Sequence, residues 1–125
     1  MKVSPLTDLT YKMIGLCMEV HRHLGHGFLE IIYKDAIEVE AGSTGLNFCR
    51  EKEYDICYKG ILLAHKFFAD FVVEDNIIVE IKAAEGAITN ENIAQTLNYL
   101  KASGCKVGLI VNFGRKSLEY KRLIF

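Results

Sequence analysis

The sequence predicts a single α/β domain over residues 1–125, an α+β sandwich in which helices flank a mixed sheet with an antiparallel meander. Three observations predict this class. Apolar residues recur at helical spacing in three segments, short apolar runs separated by turn residues lie between the second and third of them, and a continuous apolar run at 107–111 follows the third. With half of its 125 residues hydrophobic, the chain is long enough to bury one core.

Three helices are predicted. Apolar residues from Leu9 to Leu24 indicate an amphipathic helix over about residues 6–24, with Thr7 or Ser4 as its N-cap. The same spacing predicts a second helix over about residues 28–41 and a third over about residues 89–103, which begins in a capping sequence.

The remaining segments read as strands. A solvent-facing strand is expected over about residues 47–58, and the turn pair Lys59-Gly60 leads into another strand from Ile61. The next strands carry Asp70 and Glu80, and the last two lie at about 107–111 and 118–124. The third helix joins the Glu80 strand to the 107–111 strand, so a right-handed crossover and a parallel strand pair are expected there.

The Asp70 and Glu80 strands carry charges within an apolar pattern. Buried charge is costly unless it is paired or bound to a metal. If Glu74, Asp75 and Asn76 form a three-residue loop, Asp70 lies opposite Glu80, and Lys82 shares their face. The opposite face is then wholly apolar and consists of Ala69, Phe71, Val73, Ile77, Val79 and Ile81. We therefore prefer this register to one with a two-residue loop, which would put Glu80 on the other face.

Two carboxylates and a lysine on one sheet face are the parts of a Mg²⁺-dependent site that cleaves phosphodiester bonds. The alternative is an ordinary strand salt bridge of Asp70 and Glu80 with Lys82, because Glu-x-Lys is a common surface pattern. The three residues alone leave both interpretations open.

Charge is unevenly distributed along the chain. Residues 1–100 carry 9 basic and 15 acidic side chains, whereas residues 101–125 carry 6 basic side chains and one acid. A basic C-terminal end is suited to phosphate contacts, although charge alone favours a solvated surface. Arg115 and Lys116 within it fit phosphate contacts and solvated turn residues equally well.

Sequence composition indicates the cellular compartment of the protein. We expect no membrane partner, since no apolar run approaches the length of a membrane span, and the N-terminus lacks a signal-peptide pattern. The four cysteines show no metal-binding spacing and read as buried thiols in a reducing cytoplasm, so the localisation expected is cytoplasmic.

Motifs along nearly the whole chain resemble those of the GxxExxY proteins, a branch of the PD-(D/E)xK nuclease-like superfamily. The matching elements, in order, are Gly27…Glu30…Tyr33, Ala69-Asp70, Glu80-Ile81-Lys82, Gln95…Tyr99-Leu100 and Gly108 to Gly114. Ala69 replaces the proline of the superfamily name. The resemblance implies a restriction-endonuclease-like core with a metal site on the meander, and a nuclease ancestry.

The resemblance also implies roles for individual residues. Asp70 and Glu80 would hold Mg²⁺ or Mn²⁺, with the Ile81 carbonyl and the Glu30 carboxylate as further ligands. Lys82 would orient or deprotonate the attacking water and neutralise charge on the phosphate. Gln95 would bind the water held by the metal, or a phosphate. The alternative for Glu30 is a capping or surface acid near the start of its helix, and the alternative for Gln95 and Tyr99 is a polar pair that closes the helix–sheet interface.

Four further residues are expected at the substrate. Tyr99 would brace Glu30 or pack against it, Arg115 and Lys116 would contact phosphates, and Asn112 would touch substrate. For Asn112 the alternative is a cap at the end of its strand.

The function expected is Mg²⁺-dependent hydrolysis of phosphodiester bonds in nucleic acid, DNA or RNA. A homodimer would double the phosphate contacts and is expected for that reason. Two other functions stay open: a catalytically silent interaction module with the same fold, and a metal-dependent enzyme acting on a substrate other than nucleic acid.

Overall fold

The computed structural model describes residues 6–125 and contains three helices in that range, α1 (Thr7–Leu24), α2 (Glu30–Gly42) and α3 (Asn90–Ser103). Apolar side chains at helical spacing bury one stripe of α1. The predicted capping box of α3 is present, since the Thr89 side chain accepts from Asn92 N and the Asn92 side chain accepts from Thr89 N. The N-cap position of α1 is taken by Leu6 rather than Thr7, and Ser4 lies outside the described residues.

Five strands form one mixed sheet in the order β1-β4-β5-β6-β7. They are β1 (Phe48–Tyr54), β4 (Phe67–Val73), β5 (Ile77–Lys82), β6 (Val107–Asn112) and β7 (Glu119–Ile124). β5 and β6 are parallel and joined through α3, as predicted, whereas the other neighbours are antiparallel. The carboxyl ends of β5 and β6 therefore lie side by side.

A short hairpin stands apart from this sheet. The predicted strand at 47–58 is divided, since β1 ends at Tyr54 and a separate β2 (Cys57–Tyr58) pairs with β3 (Ile61–Leu62). The turn residues Lys59 and Gly60 both have positive φ, 49° and 80°, as a two-residue hairpin turn of the right twist requires.

Helices cover both faces of the sheet. α1 and α2 pack on one face with Phe71, Val79 and Leu109, and α3 packs on the other with Val72 and Ile78. The expected apolar face is confirmed for five of its six residues, Phe71, Val73, Ile77, Val79 and Ile81, which share the core cluster beneath α1 and α2. Glu80 on the neighbouring position is buried as well, at 5% exposure.

Side-chain alternation in β4 breaks at Asp70. Ala69 packs with the α3-side cluster rather than with Phe71 on the α1-side face, so its predicted position was wrong. On the neighbouring strand, Glu51 has a φ of 55°, and the pair Glu51–Asp70 is missing from an otherwise regular β1–β4 ladder. A non-glycine residue in the left-handed region twists a strand locally, and such irregularities cluster near functional sites.

The four cysteines divide evenly between interior and surface. Cys17 and Cys105 are buried as expected, whereas Cys49 and Cys57 are exposed, and all four are free thiols. Within residues 6–125, no helix combines the length and apolar character needed to cross a membrane.

Gly114 packs directly against the backbone that follows β5. A Cβ at this position would lie 2.3 Å from Ala84 O, closer than any backbone group tolerates. Gly114→Ala is therefore expected to lower the free energy of unfolding by about 3 kcal/mol, since neither backbone can move away cheaply. Urea denaturation measures this loss. Gly86→Ala, where nothing lies within 4 Å of the added atom, is the control and should change stability by less than about 0.5 kcal/mol.

Candidate active site

The β4–β5 ladder stops where the two strands bring their carboxylates together. Its register pairs Val73 with Ile77, Val72 with Ile78 and Phe71 with Val79, which confirms the three-residue loop. The next position in this register sets Asp70 against Glu80, but no backbone pair forms there. The two strands are instead joined through side chains from this point.

Each carboxylate bonds a backbone N–H of the opposite strand. Asp70 N donates to Glu80 Oε2 at 2.8 Å, and Ile81 N donates to Asp70 Oδ2 at 2.8 Å. These two bonds replace the ladder and hold both acids at the point where β4 and β5 separate. The positions of the two carboxylates are therefore set by the backbone of the facing strand.

Glu80 is the most perturbed acid of the site. Its side chain is 5% exposed, and burial together with the negative charge of Asp70 raises its pKa from 4.5 to about 8. The hydrogen bond from Asp70 N and the charges of Lys82 and Lys34 oppose this rise without cancelling it. Ionised Glu80 therefore carries an unfavourable energy that a bound cation would relieve.

The pKa of Glu80 predicts how stability changes with pH in the absence of metal. Because folded Glu80 holds its proton more tightly than unfolded Glu80, its contribution to stability is complete below about pH 4.5 and is lost as pH rises through about 8. Wild type is therefore expected to lose stability relative to Glu80→Gln between pH 4.5 and 8, measured by urea denaturation in EDTA. The glutamine of this variant keeps an oxygen that can accept from Asp70 N. An identical difference between the two proteins at both ends of this range would contradict the prediction.

Glu30 lies in the first turn of α2, near enough to Asp70 for their charges to interact. Its side chain is exposed, yet partial burial of the carboxyl and the charge of Asp70 raise its pKa, while Lys82 and Lys34 lower it. These electrostatic influences indicate that Glu30 faces the same acidic site from the α2 side.

Tyr33 fixes the segment that leads into Glu30. Its side chain is fully buried and stacks on Phe113, with ring centroids 4.6 Å apart. Its hydroxyl donates to Gly25 O at 2.6 Å and accepts from Phe28 N at 3.2 Å. The Gly-x-x-Glu-x-x-Tyr pattern thus has a local explanation, since the tyrosine ties down the turn that positions the glutamate.

Lys34 is a residue of the site that sequence reasoning missed. It is 6% exposed, and its Nζ donates to Asp70 Oδ1 at 3.0 Å and to Glu51 Oε1. Burial alone would lower the pKa of Lys34, but the hydrogen bonds to Glu51 and Asp70 outweigh it and raise the pKa. The available signal was a lysine within the buried stripe of α2, one turn after Glu30.

Lys82 lies two residues beyond Glu80 at the end of β5 and is half-buried. Among residues 6–125, no carboxylate lies within 4 Å of its Nζ, so the predicted alternative of an ion pair with Asp70 is absent there. Asp70 forms its ion pair with Lys34 instead. The ammonium group of Lys82 is therefore not committed to a protein carboxylate.

The two α3 residues expected at the site differ in their contacts. Tyr99 stacks on Phe67 with ring centroids 4.2 Å apart, and burial followed by the charges of Glu80 and Asp70 raises its pKa. Gln95 is exposed, and its side chain forms no hydrogen bond with residues of the described range. Tyr99 is thus held near the carboxylates, whereas no hydrogen bond among the described residues links Gln95 to them.

Nearly the whole chain matches one known superfamily. The sequence model of the PD-(D/E)XK nuclease superfamily matches residues 7–123. The chain belongs to the PD-(D/E)XK nuclease superfamily. One solved structure, described as the crystal structure of SSO0001, is similar with a TM-score of 0.51 and 16% identity over 94% of this chain and 78% of that chain. At this identity the similarity shows the fold. No curated protein matches the sequence.

PD-(D/E)XK nucleases generally use divalent metal ions, and the donors of this site fit such an ion. Asp70 and Glu80 supply carboxylate oxygens, which Mg²⁺ prefers, and Glu30 is a further carboxylate nearby. Among residues 6–125, no three Asp, Glu, His or Cys side chains lie close enough together to hold a metal ion, so Glu30 is not gathered with Asp70 and Glu80. Mg²⁺ commonly keeps several waters and takes one or two carboxylates, so a partial set is compatible with it.

Asn112 was expected either to touch substrate or to cap the end of its strand. In the structure its side chain hydrogen-bonds other groups of the protein. It is 1% exposed, and its amide nitrogen donates to Ala84 O, Gly86 O and Glu119 Oε1 at 2.9 to 3.2 Å. Its Oδ1 accepts from Ala84 N and Gly114 N, both at 3.0 Å. These bonds hold the segment after β5 in place, as expected of a residue that caps the end of its strand. Both polar atoms of the amide are engaged by the protein, so neither is directed at a ligand.

Arg115 and Lys116 are exposed in the turn after β6. The turn begins where Phe113 N donates to Lys82 O at 2.8 Å, so it lies at the same end of the sheet as Lys82. Both basic residues line a cavity of about 620 Å³ together with His26, Ser117 and the acids Glu85 and Glu119.

Proposed function

We propose that this PD-(D/E)XK protein hydrolyses phosphodiester bonds of nucleic acid with Mg²⁺ or Mn²⁺. The observation that carries the proposal is the break in the β4–β5 ladder, where Asp70 and Glu80 each accept a hydrogen bond from the opposite strand. Neither acid pairs with Lys82 among residues 6–125, so the strand salt bridge expected from the Glu-x-Lys pattern does not account for them.

Asp70 and Glu80 would hold the metal, with the Ile81 carbonyl and Glu30 as further ligands. When bound, the metal supplies Lewis acidity that stabilises negative charge on the phosphate oxygens. The raised pKa of Glu80 supports this assignment, because burial and then the charge of Asp70 disfavour the ionised carboxylate, and a cation beside it would oppose both.

Lys82 and Gln95 would act on the water and the phosphate. The water oxygen forms a new bond to phosphorus, the bond from phosphorus to the leaving sugar oxygen breaks, and the proton released by the water ends on that oxygen. As an ammonium ion Lys82 orients the water and neutralises charge on the phosphate; as a neutral amine it would instead take the proton of the water. Gln95 hydrogen-bonds the water or a phosphate oxygen.

The substrate would cross the end of the sheet that carries Lys82. Arg115 and Lys116 provide phosphate contacts there, and Tyr99 supports the carboxylates from the α3 side. A homodimer would double the phosphate contacts of a chain whose net charge is −1.

Membership of the GxxExxY branch is consistent with the hydrogen bond by which Tyr33 holds the turn before Glu30.

A catalytically silent module is a second candidate, and one observation favours it. Lys34 occupies Asp70 Oδ1, while Ile81 N occupies Oδ2, so both oxygens of this acid already have protein partners. In such a module the ion pair would stabilise the fold, and no metal would be needed.

Cleavage of labelled single-stranded, double-stranded and branched DNA and RNA, with Mg²⁺, with Mn²⁺ and with EDTA, distinguishes these functions. The proposal expects cleavage of at least one substrate with metal and none with EDTA. Binding of the same substrates without cleavage under any metal condition would favour the silent module.

A further inference from the structure

Lys34 is a buried cation that the proposed reaction does not use. Its side chain is 8% exposed and lies on α2, and its Nζ contacts Asp70 Oδ1 at 3.0 Å and Glu51 Oε1. A buried ammonium is tolerated only with such partners, because an unpaired charge loses its hydration. The lysine is therefore held in place by two acids from two neighbouring strands.

Four carboxylates surround this ammonium group. Asp70 and Glu51 bond it directly, and its charge also lowers the pKa values of Glu30 and Glu80. The ammonium group of Lys34 thus neutralises part of the negative charge of these acids. A divalent metal bound to Asp70 and Glu80 would neutralise the same charge, so the lysine and the metal compete for it.

Glu51 offers the lysine a second acceptor outside the carboxylate pair. It projects from β1 at the irregular position with φ 55°, and its side chain is 46% exposed, against 13% for Asp70. A lysine has a flexible four-carbon stem and can shift its ammonium group between neighbouring acids. Glu51 can therefore keep the charge of Lys34 paired when Asp70 turns to another cation.

We propose that Lys34 is the resident counter-cation of the metal-free site and that Glu51 draws it away from Asp70 when metal binds. Lys34 is a positioning residue, since it acts on metal affinity through Asp70. The inference rests on the proposed metal site. It accounts for both partners of Lys34, which the proposed reaction does not require.

Two variants should change metal affinity in opposite directions. Lys34→Met removes the competing charge and is expected to tighten Mg²⁺ and Mn²⁺ binding by roughly tenfold. Glu51→Gln leaves Lys34 with Asp70 as its remaining charged partner and is expected to weaken binding by roughly fivefold. A purely structural ion pair predicts no tightening in the first variant. Lys52→Met, whose lysine lies near Asp75 rather than the site carboxylates, is the control and should bind as wild type.

Isothermal calorimetry of the metal-free, nucleic-acid-free proteins with MgCl₂ or MnCl₂ tests the inference. Should Lys34→Met fail to fold, Lys34→Gln replaces it, and Glu51→Gln changes a half-exposed side chain that the fold can spare. Opposite shifts in the two variants support the inference; equal or weaker binding by the Lys34 variant, unchanged binding by Glu51→Gln, or no binding by any variant overturns it.

The readout is separate from cleavage. Unchanged affinities in variants of a protein that cleaves nucleic acid would refute the role of Lys34 alone. The expected shifts in a protein that cleaves nothing would support that role and refute the proposed function.

Discussion

Asp70→Asn is expected to lower metal-dependent cleavage by about 10³-fold while the chain stays folded. The substitution removes the negative charge that the metal requires, but an amide oxygen can still accept from Ile81 N, which bonds Asp70 Oδ2 at 2.8 Å in the wild type. Lys34 keeps its bond to Glu51. The loss should therefore fall on metal binding and catalysis rather than on the fold.

Initial rates under single-turnover conditions, with circular dichroism to verify folding, measure this effect. Asp75→Asn is the matched control, because it makes the same chemical change five residues away in the exposed β4–β5 loop. It should cleave within about twofold of wild type. Cleavage by Asp70→Asn within a few-fold of wild type would mean that the activity belongs to another site or to a contaminant.

Lys82→Ala is the second large effect, with cleavage expected to fall by about 10²-fold. Lys82 has no carboxylate within 4 Å among residues 6–125, so its removal breaks no ion pair there. Stability should consequently change by less than about 0.5 kcal/mol. A large loss of activity with little loss of stability is the pattern expected of a residue that acts on the reacting groups.

Rates and urea denaturation curves of the same preparation test this separation. Lys121→Ala, an exposed lysine of β7, controls for the loss of one positive charge and should retain activity. Lys82→Arg distinguishes two roles, since arginine keeps the charge but does not take up a proton from water. Full activity of Lys82→Ala would contradict any role of this lysine in the reaction.

The main elements of the fold could be predicted from the sequence because they depend on local patterns. Helical spacing located the three helices, and the need to keep one face of the β4–β5 pair apolar selected the three-residue loop. The same register sets Asp70 against Glu80. The acidic pair is therefore a consequence of side-chain alternation and loop length, both of which can be read from the sequence.

Side-chain alternation gave a wrong prediction where the backbone of the sheet is irregular. Ala69 was assigned to the wrong face because the pattern in β4 breaks at Asp70, beside Glu51 with its positive φ. No residue in this stretch is a glycine or proline that would signal the change. Nor could the strand pattern reveal that α3 covers the face of Glu80, since coverage is decided by tertiary packing.

Long-range polar contacts were the other part that the sequence could not supply. Lys34 lies 36 residues before Asp70, and nothing local to either residue specifies their ion pair. Asn112 likewise reaches back to Ala84 and Gly86, so its use as a clamp depends on where the segment after β5 returns. The spacing of motifs in the sequence identified residues near the ends of β5 and β6, but it could not show which groups these residues hydrogen-bond.

The proposed metal site requires that Asp70 and Glu80 together hold a divalent metal. Anomalous diffraction from crystals soaked in MnCl₂ tests this, because manganese gives a signal that water and Mg²⁺ do not. We expect a manganese peak within about 2.0–2.4 Å of an oxygen of each carboxylate, which disappears in Asp70→Asn crystals. A fully soaked crystal with no peak between these two residues, or with its peak at other ligands, would refute the metal site.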